Sequence, residues 1–387
     1  MNPRYVIISD PGSMRSSVYE RELRSFWEEQ QQRVEIWPID WRDVCDTDGR
    51  IERWLPDSPA MLRIESPARD PDVIRRLCEA GRRAVRRARE GLSVPTVEAD
   101  ASDGGFGWIH SPRLVFAGLR SCLQGIATVL QQHPRIRSFS VPEDITVTFD
   151  KNATSERLRH AGVPVPDSFC PQGTAAELCD ELRERRWRQT FVKLSHGSCA
   201  SGIVVLNVVS GAEWGMTTVV ERDGRFYNTF DVSHVRGARL NHILQFLIEE
   251  TATVQQFVPK ARLCGRNFDL RVVVLDGTVI AVIGRASQHP MTNLHLGGQQ
   301  CSVDDCRRIV GQRAWLDAMD ACVAAAEQFR LNCVGVDVAI NQFSGQPQIL
   351  ELNAFGDFFP RWRDTSGRSI HRLQIDFEAA HWRNQML

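Results

Sequence analysis

The sequence predicts a protein that combines α/β and α+β architecture, with an N-terminal parallel sheet followed by antiparallel sheets. The opening alternates an apolar run at 5–10, a helical pattern at 17–30 and a second apolar run at 34–39. This order is typical of a parallel α/β domain. The later half instead pairs β-like runs across tight turns such as Asp276-Gly277, which is typical of antiparallel hairpins. The length of 387 residues exceeds one ordinary core and predicts two or three domains.

Composition narrows the class of protein. The formal net charge of −1 argues against a protein that coats nucleic acid or a membrane surface, because such partners select a strong basic excess. Apolar runs stay well below the ~18–20 residues that a spanning helix needs, and residues 1–10 lack the layout of a signal peptide. We therefore expect a soluble cytoplasmic protein with no nucleic-acid or membrane partner. A homodimer stays open as its assembly.

Cysteine and lysine usage give further information. The 11 cysteines are odd in number and form no Cys-x-x-Cys pair, so we expect small buried thiols in a reducing compartment rather than a disulfide framework or a zinc site. Only three of the 47 basic residues are lysines, namely Lys151, Lys193 and Lys260. A lysine is a compact, flexible point charge, so each of the three could serve a purpose that arginine cannot. Codon bias is the alternative explanation.

The N-terminal domain is expected to end near residue 145. Pro142 and acidic residues precede a new helix that begins near Lys151 and ends at Gly162. The domain has no G-x-G-x-x-G motif, so a dinucleotide site has little support. An arginine-rich helix at 72–90 could bind an anion, but a solvated helix face is the favoured interpretation. Proline-fixed turns at 63–67 and 110–113 are candidates for substrate contacts, with ordinary structural turns as the alternative.

A loop of small residues connects two β-like runs at 189–194 and 202–208. Backbone amides that side chains do not crowd can approach phosphate oxygens closely, and serine hydroxyls add donors. The order strand, loop, strand, with Lys193 before the loop, differs from a P-loop and favours a flexible lid over phosphates. An ordinary hairpin is the alternative, and a His196–Cys199 nucleophile is disfavoured because a flexible lid does not hold a rigid pair. The lid candidates are Ser195, Gly197, Ser198, Ser201 and Gly202.

A polar pair lies within the hairpin that follows. A short strand at 255–259 precedes this hairpin, whose strands are predicted at 267–275 and 278–283. Asp269 and Arg271 are two residues apart and therefore share one face of their strand. Arg285 lies beyond the returning strand. These residues are either a phosphate-binding group or a surface ion pair.

The C-terminal hairpin contains the most informative group of polar residues in the sequence. Its strands are predicted at 333–340 and 348–353, and folding about the midpoint places Asp337 opposite residue ~352, give or take one. Glu351 and Asn353 share a face. Unpaired buried carboxylates are costly, so this cluster favours a hard cation such as Mg²⁺, which takes oxygen ligands from protein, phosphates and water. The alternative is that this face is exposed to solvent.

These segments, in this order, resemble the ATP-grasp superfamily. The resemblance rests on Lys151, FVKLSHGSCASGIVVL (191–206), VQQFVP (254–259), FDLRVVVLDGTVIAVIGR (268–285), VGVDVAI (334–340) and ILELN (349–353). The segments TNLHLGG (292–298) and LNAFGDFFP (352–360) are most similar to a bacterial branch. The resemblance implies an N-terminal Rossmann-like (pre-ATP-grasp) domain at 1–145 and the two-subdomain ATP-grasp fold after it. The small subdomain with the lid would span 146–250, and the C-terminal subdomain with the metal site would span 251–387.

The resemblance also implies a role for each matching residue. Lys151 and Lys193 would contact the α- and β-phosphates of ATP. The adenine hinge would be Gln255, Gln256, Phe257 and Val258, although the family commonly has an acidic residue where Gln255-Gln256 stand and a proline where Leu194 stands. Arg271 and Asn293, together with Lys193, would act at the γ-phosphate and the acyl phosphate. One or two Mg²⁺ ions, or Mn²⁺, would be held by Asp337, Glu351 and Asn353.

The activity that this resemblance implies is ATP-dependent ligation. A carboxylate would be activated as an acyl phosphate and captured by an amine, with release of ADP and phosphate. The expected partners are ATP, a small carboxylic acid or peptide, and an amine acceptor such as an amino acid. A small-molecule kinase and a nucleotide-binding protein without turnover are the alternatives, and retention of both phosphate lysines and all three oxygen ligands counts against the second.

Overall fold

Three β-sheets organise the chain. The computed structural model describes residues 2–10, 12–67, 70–88, 107–197, 201–209 and 212–385. Residues 89–90 of the arginine-rich helix and Ser198 and Cys199 of the small-residue loop lie outside these ranges. The first sheet is built from the N-terminal third of the chain, and the second and third sheets follow in order.

The first sheet is parallel, as the alternating opening predicts. Its four strands have the order β2-β1-β3-β4, and all three pairings are parallel. The strands are β1 (Arg4–Ser9), β2 (Glu35–Asp40), β3 (Ala60–Ile64) and β4 (Ile136–Ser138). The helices between them are α1 (Met14–Glu29), α2 (Trp41–Asp46), α3 (Pro71–Ala88) and α4 (Pro112–Gln132), with a 3₁₀ turn at Glu52–Trp54.

The arginine-rich helix α3 is a salt-bridged helix face in this structure. Arg75 pairs with Asp72 and Glu79, three and four residues away along the same helix. Arg83 donates to Asp48 of the turn after α2 at 2.8 Å. Such pairs engage several of the arginines that the sequence analysis considered as an anion site, in agreement with the solvated-face interpretation.

Two glycines bring α3 and α4 into backbone contact. A Cβ atom on Gly118 would overlap the carbonyl oxygen of Leu77, and one on Gly81 would overlap that of Leu114. Among the described helices, α4 is the one whose length and apolar composition would fit a membrane span. Here α4 packs as a core helix, with Leu119, Cys122, Leu123, Ile126 and Val129 buried.

The second sheet is antiparallel, with the order β5-β10-β6-β7-β8-β9. Its strands are β5 (Ser168–Phe169), β6 (Gln189–Leu194), β7 (Ile203–Val209), β8 (Ala212–Arg222), β9 (Arg225–Arg236) and β10 (Ala252–Gln256). The helices of this region are α5 (Pro142–Thr148), α6 (Lys151–His160), α7 (Ala175–Glu184) and α8 (Gly237–Glu249). The predicted strand–loop–strand around the small-residue loop is confirmed, because β6 and β7 pair directly.

Strand β10 corrects two sequence-based predictions. It ends at Gln256, so the strand predicted at 255–259 begins and ends three residues too late. It is hydrogen-bonded between β5 and β6, so it belongs to the second sheet although the predicted boundary at 250/251 assigns it to the next subdomain. We therefore propose that the second unit ends after Gln256.

The third sheet is also antiparallel, with the order β14-β13-β12-β15-β16 and β11 beside β12. Its strands are β11 (Arg262–Leu263), β12 (Arg266–Leu275), β13 (Thr278–Ser287), β14 (Gln299–Cys301), β15 (Cys333–Ile340) and β16 (Pro347–Asn353). The helices are α9 (Val303–Val310), α10 (Gln312–Ala326) and α11 (Ile370–Gln385), with a 3₁₀ turn at Leu294–Leu296. Strand β13 continues past its predicted end at 283, so Arg285 lies inside the sheet, opposite Asp269.

Helix α11 returns to the first sheet. Its buried Ile375, Ala379 and Trp382 share a core with β1 and α1. Glu378 accepts hydrogen bonds from Tyr19 and from Arg63 of β3, entirely out of solvent. Helix α11 also packs on the third sheet through Ile370, Leu373 and Phe377, so it joins the N-terminal domain to the C-terminal subdomain.

We expect Gly118→Ala to lower the free energy of unfolding by about 1–2 kcal/mol, because the added methyl group forces α3 and α4 apart. The gain in helix propensity of up to about 1 kcal/mol opposes this loss only in part. Urea denaturation followed by circular dichroism measures the change. Gln124→Ala, at an exposed position of the same helix, is the control and should leave stability unchanged. Equal stability of Gly118→Ala and wild type would contradict the close helix contact.

Candidate functional site

A cleft of about 660 Å³ lies between the second and third sheets. The second sheet contributes Phe191, Lys193, Ile203, Gln255 and Gln256. The third sheet contributes Asp269, Arg285, Asp337, Leu350 and Glu351. The connecting segments add Val258, Lys260, Pro290, Met291, Thr292 and Asn293. Apolar and charged side chains therefore occur on both sides of the cleft, and most of the charges lie on the third sheet.

All three lysines of the chain meet at this cleft. Lys193 Nζ, at the end of β6, donates to Gln255 Oε1 at 2.7 Å. Lys151 Nζ, at the start of α6, donates to the Gly197 carbonyl oxygen at 2.5 Å and lies 3.3 Å from Glu351 Oε1. Lys260 Nζ donates to Asp269 Oδ2 at 2.8 Å. The scarcity of lysine in the sequence thus coincides with one place in the fold.

Burial changes the acidity of Lys193. Its side chain is almost completely enclosed, and this burial lowers its pKa to about 8. Glu351 and Asp337 act in the opposite direction, while the positive charges of Lys151 and Lys260 lower the pKa further. Lys193 is therefore held close to the point at which it gains or loses a proton at ordinary pH.

Hydrogen bonds connect Ser195, the first residue of the predicted lid, to the start of α6. Asp150 caps α6 and also accepts a hydrogen bond from Ser195 Oγ at 2.9 Å. The Ser195 carbonyl accepts from the Lys151 N–H at 3.2 Å. The buried Ser195 hydroxyl is thus engaged in structure, and the Gly197 carbonyl faces Lys151. Gly202 has φ +65°, and a Cβ atom there would collide with the Leu194 side chain, so only glycine suits the point where β7 begins.

The four residues of the predicted adenine hinge differ in burial and in their hydrogen bonds. Gln255 is buried and binds Lys193, whereas Gln256 is exposed and lines the cleft. The Phe257 N–H donates to the Gln189 carbonyl at 3.3 Å, so it is already used within the second sheet. Val258 lines the cleft one residue further on. Gln255, Gln256 and Val258 therefore line the cleft, whereas the backbone N–H groups of Gln256 and Phe257 are both used within the protein.

The floor of the cleft is a row of alternating charges on one face of the third sheet. Lys260 and Arg285 Nε both bind Asp269, each at 2.8 Å. Arg285 also lies 3.2 Å from Asp337 Oδ2. Arg271 binds Asp337 through Nε and binds Asp357 Oδ2 at 2.5 Å. This floor network, in order Lys260, Asp269, Arg285, Asp337, Arg271 and Asp357, carries three positive and three negative formal charges.

The floor network keeps its carboxylates ionised. Burial opposes the charge on both Asp269 and Asp337, but the neighbouring cations outweigh it and lower the pKa of each. Asp269 and Arg271 do share one face, as the sequence analysis predicted. They bind other partners rather than each other, and Asp269 is only 2% exposed. The surface-ion-pair alternative is therefore wrong.

Register brings the predicted metal ligands together. Asp337 lies directly opposite Glu351, within the range obtained by folding the hairpin at its midpoint, and Gly335 lies opposite Asn353. Asn353 Nδ2 points to the Gly335 carbonyl at 3.4 Å, which leaves the amide oxygen to bind elsewhere. Among the described residues, no three His, Cys, Asp or Glu side chains are grouped to hold a metal ion by themselves. Two carboxylates and one amide oxygen fit Mg²⁺ where phosphates and water complete its oxygen shell.

Of the predicted catalytic residues, Asn293 lines the cleft and Arg271 does not. Asn293 lines the cleft in the segment after β13. Arg271 lies behind Asp337, where its bonds to two carboxylates orient Asp337. Arg285, which the sequence analysis placed beyond its strand, is the guanidinium that reaches the cleft.

The two proline-fixed turns of the N-terminal domain do not contribute to the lining of this cleft. Arg63 and Glu65 bind each other in a separate cavity of about 330 Å³ beside Glu378 and Gln374. The Arg113 N–H donates to Glu250 at 3.1 Å, at the end of α8. His110 is half-buried against Trp108, and burial lowers its pKa.

Sequence reasoning missed three members of the site. Lys260 was counted as a rare lysine but received no role, although the same scarcity argument applied to it. Thr292, whose hydroxyl accepts from Lys260 at 2.7 Å, begins the TNLHLGG segment that the sequence analysis singled out, but it received no role there. Asp357 lies in an irregular segment after β16, where periodicity assigns no face.

Comparison with known proteins relates this architecture to solved structures. No protein-family model and no curated protein matches the sequence. The ATP-grasp ligase PsnB complexed with minimal precursor is 14% identical, with a TM-score of 0.54 over 98% of this chain and 99% of PsnB. D-alanine–D-alanine ligase from Bacillus anthracis is 13% identical, with a TM-score of 0.53 over 100% of both chains. The macrocyclase MdnC from Microcystis aeruginosa MRC, bound with precursor peptide MdnA, is 11% identical, with a TM-score of 0.51 over 97% of this chain and 99% of MdnC.

We expect Lys260→Met to lower the free energy of unfolding by about 3 kcal/mol, because it leaves buried Asp269 with one cationic partner instead of two. Chemical denaturation measures this loss. Arg313→Met is the matched control, because Arg313 makes an exposed ion pair with Asp317, and such pairs contribute little. If both variants were as stable as wild type, the floor network would not be the stabilising element that its burial indicates.

Proposed function

From the ATP-grasp fold of this chain, we propose that the protein is an ATP-dependent carboxylate–amine ligase. One observation carries the proposal: all three lysines and the paired carboxylates Asp337 and Glu351 converge at a single cleft between two sheets. A nucleotide triphosphate needs both kinds of group, since ammonium groups bind its phosphates and oxygen ligands bind its metal ion. The fold is shared with ligases at low sequence identity, so the activity rests on this arrangement of residues.

The apolar and charged parts of the cleft lining suggest how ATP is oriented. Phe191, Ile203, Val258, Met291 and Leu350 form an apolar lining suited to a flat base. Backbone groups of Val258 and the side chain of Gln256 would meet the base edge, because the Gln256 N–H already donates to the Asp167 carbonyl. Lys193 and Lys151 would hold the phosphates near the root of the lid, and Ser201 and Gly202 would frame the lid as it covers them. The Gly197 carbonyl, now bound to Lys151, would be released when Lys151 binds phosphate.

The end of the cleft at β15 and β16 would bind the metal ion. Asp337, Glu351 and Asn353 would hold one or two Mg²⁺ ions, and the same oxygen donors would accept Mn²⁺. When bound, the ion offsets negative charge on the phosphates. Lys151 lies 3.3 Å from Glu351 and Arg271 is bound to Asp337. These cations neutralise the two carboxylates and hold them in place.

The chemistry follows from charges that face the γ-phosphate. A substrate carboxylate oxygen attacks the γ-phosphorus, the bond to the β-phosphate oxygen breaks, and ADP leaves. Arg285, Lys260 and Asn293 line the cleft and would stabilise charge that develops on the transferred phosphoryl oxygens. An amine then attacks the acyl carbon, and phosphate leaves with the bonding electron pair. A closed lid protects the acyl phosphate from water.

The substrate class proposed here is an amino acid or peptide with an amine acceptor. Similar solved structures support this class: one is a D-alanine–D-alanine ligase, PsnB is complexed with a minimal precursor, and MdnC is bound with precursor peptide MdnA. The described cysteines are all free thiols, which supports the cytoplasm, a reducing and ATP-rich compartment, as the location.

The proposal is tested by release of ADP and phosphate from ATP and Mg²⁺ in pools of amino acids, peptides and small carboxylic acids. A ligase releases phosphate only when both a carboxylate and an amine are present. A phosphorylated product that persists when amine is added would make the protein a kinase instead. Tight ATP binding without ADP release in any pool would make it a nucleotide-binding protein.

We expect Glu351→Gln and Lys193→Ala each to reduce ADP release by about 100-fold or more, because each removes a charge that meets the metal ion or the phosphates. Circular dichroism should show both variants folded. Glu184→Gln, at an exposed position at the end of α7, is the matched control and should retain activity. An active, folded Glu351→Gln/Lys193→Ala double variant would overturn the assignment.

Nucleotide binding should depend on pH through Lys193. Because its pKa is about 8 in the free protein and triphosphate favours the charged ammonium, binding should raise this pKa and take up a proton. Affinity for Mg–ATP should therefore be highest below pH 8 and fall as pH rises through the raised pKa. Calorimetry near pH 8 in two buffers of different ionisation enthalpy measures the uptake. Lys193→Arg, which stays charged, should abolish it, and wild-type binding without proton uptake would contradict the role of Lys193.

A further inference from the structure

Two cysteines lie in contact just outside the nucleotide cleft. Cys301 Sγ, at the end of β14, is 3.5 Å from Cys306 Sγ in α9. Both are free thiols. A disulfide requires sulfur atoms about 2.05 Å apart, so a closure of about 1.5 Å would join them. The proposed ligase reaction does not use either residue.

The backbone makes room for both sulfur atoms. Cys301 lies opposite Gly284 of β13. A Cβ atom on Gly284 would be 2.7 Å from Cys301 Sγ and 3.1 Å from Cys306 Sγ. Any other residue at 284 would therefore displace one or both thiols. The absence of a side chain at 284 is what allows the pair to sit against the sheet.

The two thiols differ in exposure and acidity, as an attacking and a resolving cysteine must. Cys301 is partly exposed, and Cys306 is fully buried. The hydrogen bond between the two thiols lowers the pKa of Cys301. That same bond, followed by burial, raises the pKa of Cys306. Thiolate character and access both favour Cys301 as the nucleophile.

We propose that Cys301 and Cys306 are a reversible disulfide site that reacts with low-molecular-weight disulfides such as oxidised glutathione. The Cys301 thiolate attacks one glutathione sulfur, the glutathione S–S bond breaks, and one glutathione thiolate leaves and is protonated by water. Cys306 then loses its proton to solvent and attacks Cys301 Sγ, which expels the second glutathione. The protein loses two protons and two electrons, and one oxidised glutathione becomes two reduced molecules.

The position of the pair connects this chemistry with the cleft. Strand β14 follows the segment 288–298, whose residues 290–293 line the cleft. Arg285, next to Gly284, binds Asp269 and Asp337 of the floor network. A disulfide would fasten the far end of the lining segment to α9. The inference does not depend on the proposed ligase function, since the thiol contact exists whatever occupies the cleft.

The test treats the folded, full-length protein with oxidised glutathione, alkylates the remaining free thiols and digests with trypsin. Cleavage after Arg285 and Arg307 yields a peptide, 286–307, that contains Cys301 and Cys306 and no other cysteine. We expect this peptide to lose two hydrogens and to regain two alkylatable thiols after reduction. Two free thiols in this peptide, while exposed Cys264 becomes glutathionylated, would overturn the proposal.

A cysteine variant identifies the order of attack. In Cys306→Ser the resolving thiol is absent, so glutathione should remain on Cys301 as a stable mixed disulfide. Cys264→Ser is the control and should form the internal disulfide as wild type does. An unmodified Cys301 in folded Cys306→Ser would overturn the order of attack. Should Cys306→Ser fail to fold, the wild-type peptide still decides whether the disulfide forms.

Discussion

A row of alternating, largely buried charges fixes the third-sheet side of the candidate site. Asp269 and Asp337 lie in the interior of the third sheet, where an unpaired carboxylate would be costly. Lys260, Arg285 and Arg271 compensate them and link strands β12, β13 and β15 with the segments around them. Because each charge has a neighbour of opposite sign, removal of any one leaves another exposed to a medium of low polarity. The floor network thus joins the stability of the sheet to the position of the proposed metal ligands.

The same network explains why lysine and arginine are not used interchangeably here. Arg271 and Arg285 each bind two carboxylates at once, which a planar guanidinium can do. Lys151 and Lys193 instead face the cleft with single, rotatable ammonium groups near a loop. A rotatable ammonium can exchange a protein oxygen for a phosphate oxygen without rebuilding a fixed pair of bonds. Arg271 and Arg285 therefore orient carboxylates, whereas Lys151 and Lys193 are placed where the proposed ligand would bind.

Much of the architecture was accessible from the sequence, for identifiable reasons. The bounds of β6 and β15 were predicted to the residue, because each run is rich in β-branched and other apolar residues and is followed by polar or turn-forming residues. The register of Asp337 with Glu351 followed from the short turn of a hairpin, which leaves little freedom in pairing. The error in β10 has the opposite cause. Gln255 and Gln256 are polar, so periodicity did not reveal that Ala252–Gln256 lies between two other strands.

The site was less accessible, because contacts across long sequence separations leave no periodic trace. Arg271 was expected at the phosphates, yet Asp357 lies 2.5 Å from it and lies in an irregular segment. Arg285 was placed outside the sheet, because a strand that continues past Gly284 does not look continuous in sequence. Lys260 showed its importance only through its rarity. The roles of these residues were set by pairing between distant segments, which three-dimensional structure alone displays.

The return of α11 to the N-terminal domain has a consequence for synthesis. The first sheet is complete by Ser138, but the partners of Tyr19 and Arg63 lie at Gln374 and Glu378. During synthesis these partners become available only after some 240 further residues have been translated, so the core that α11 shares with β1 and α1 can close only late.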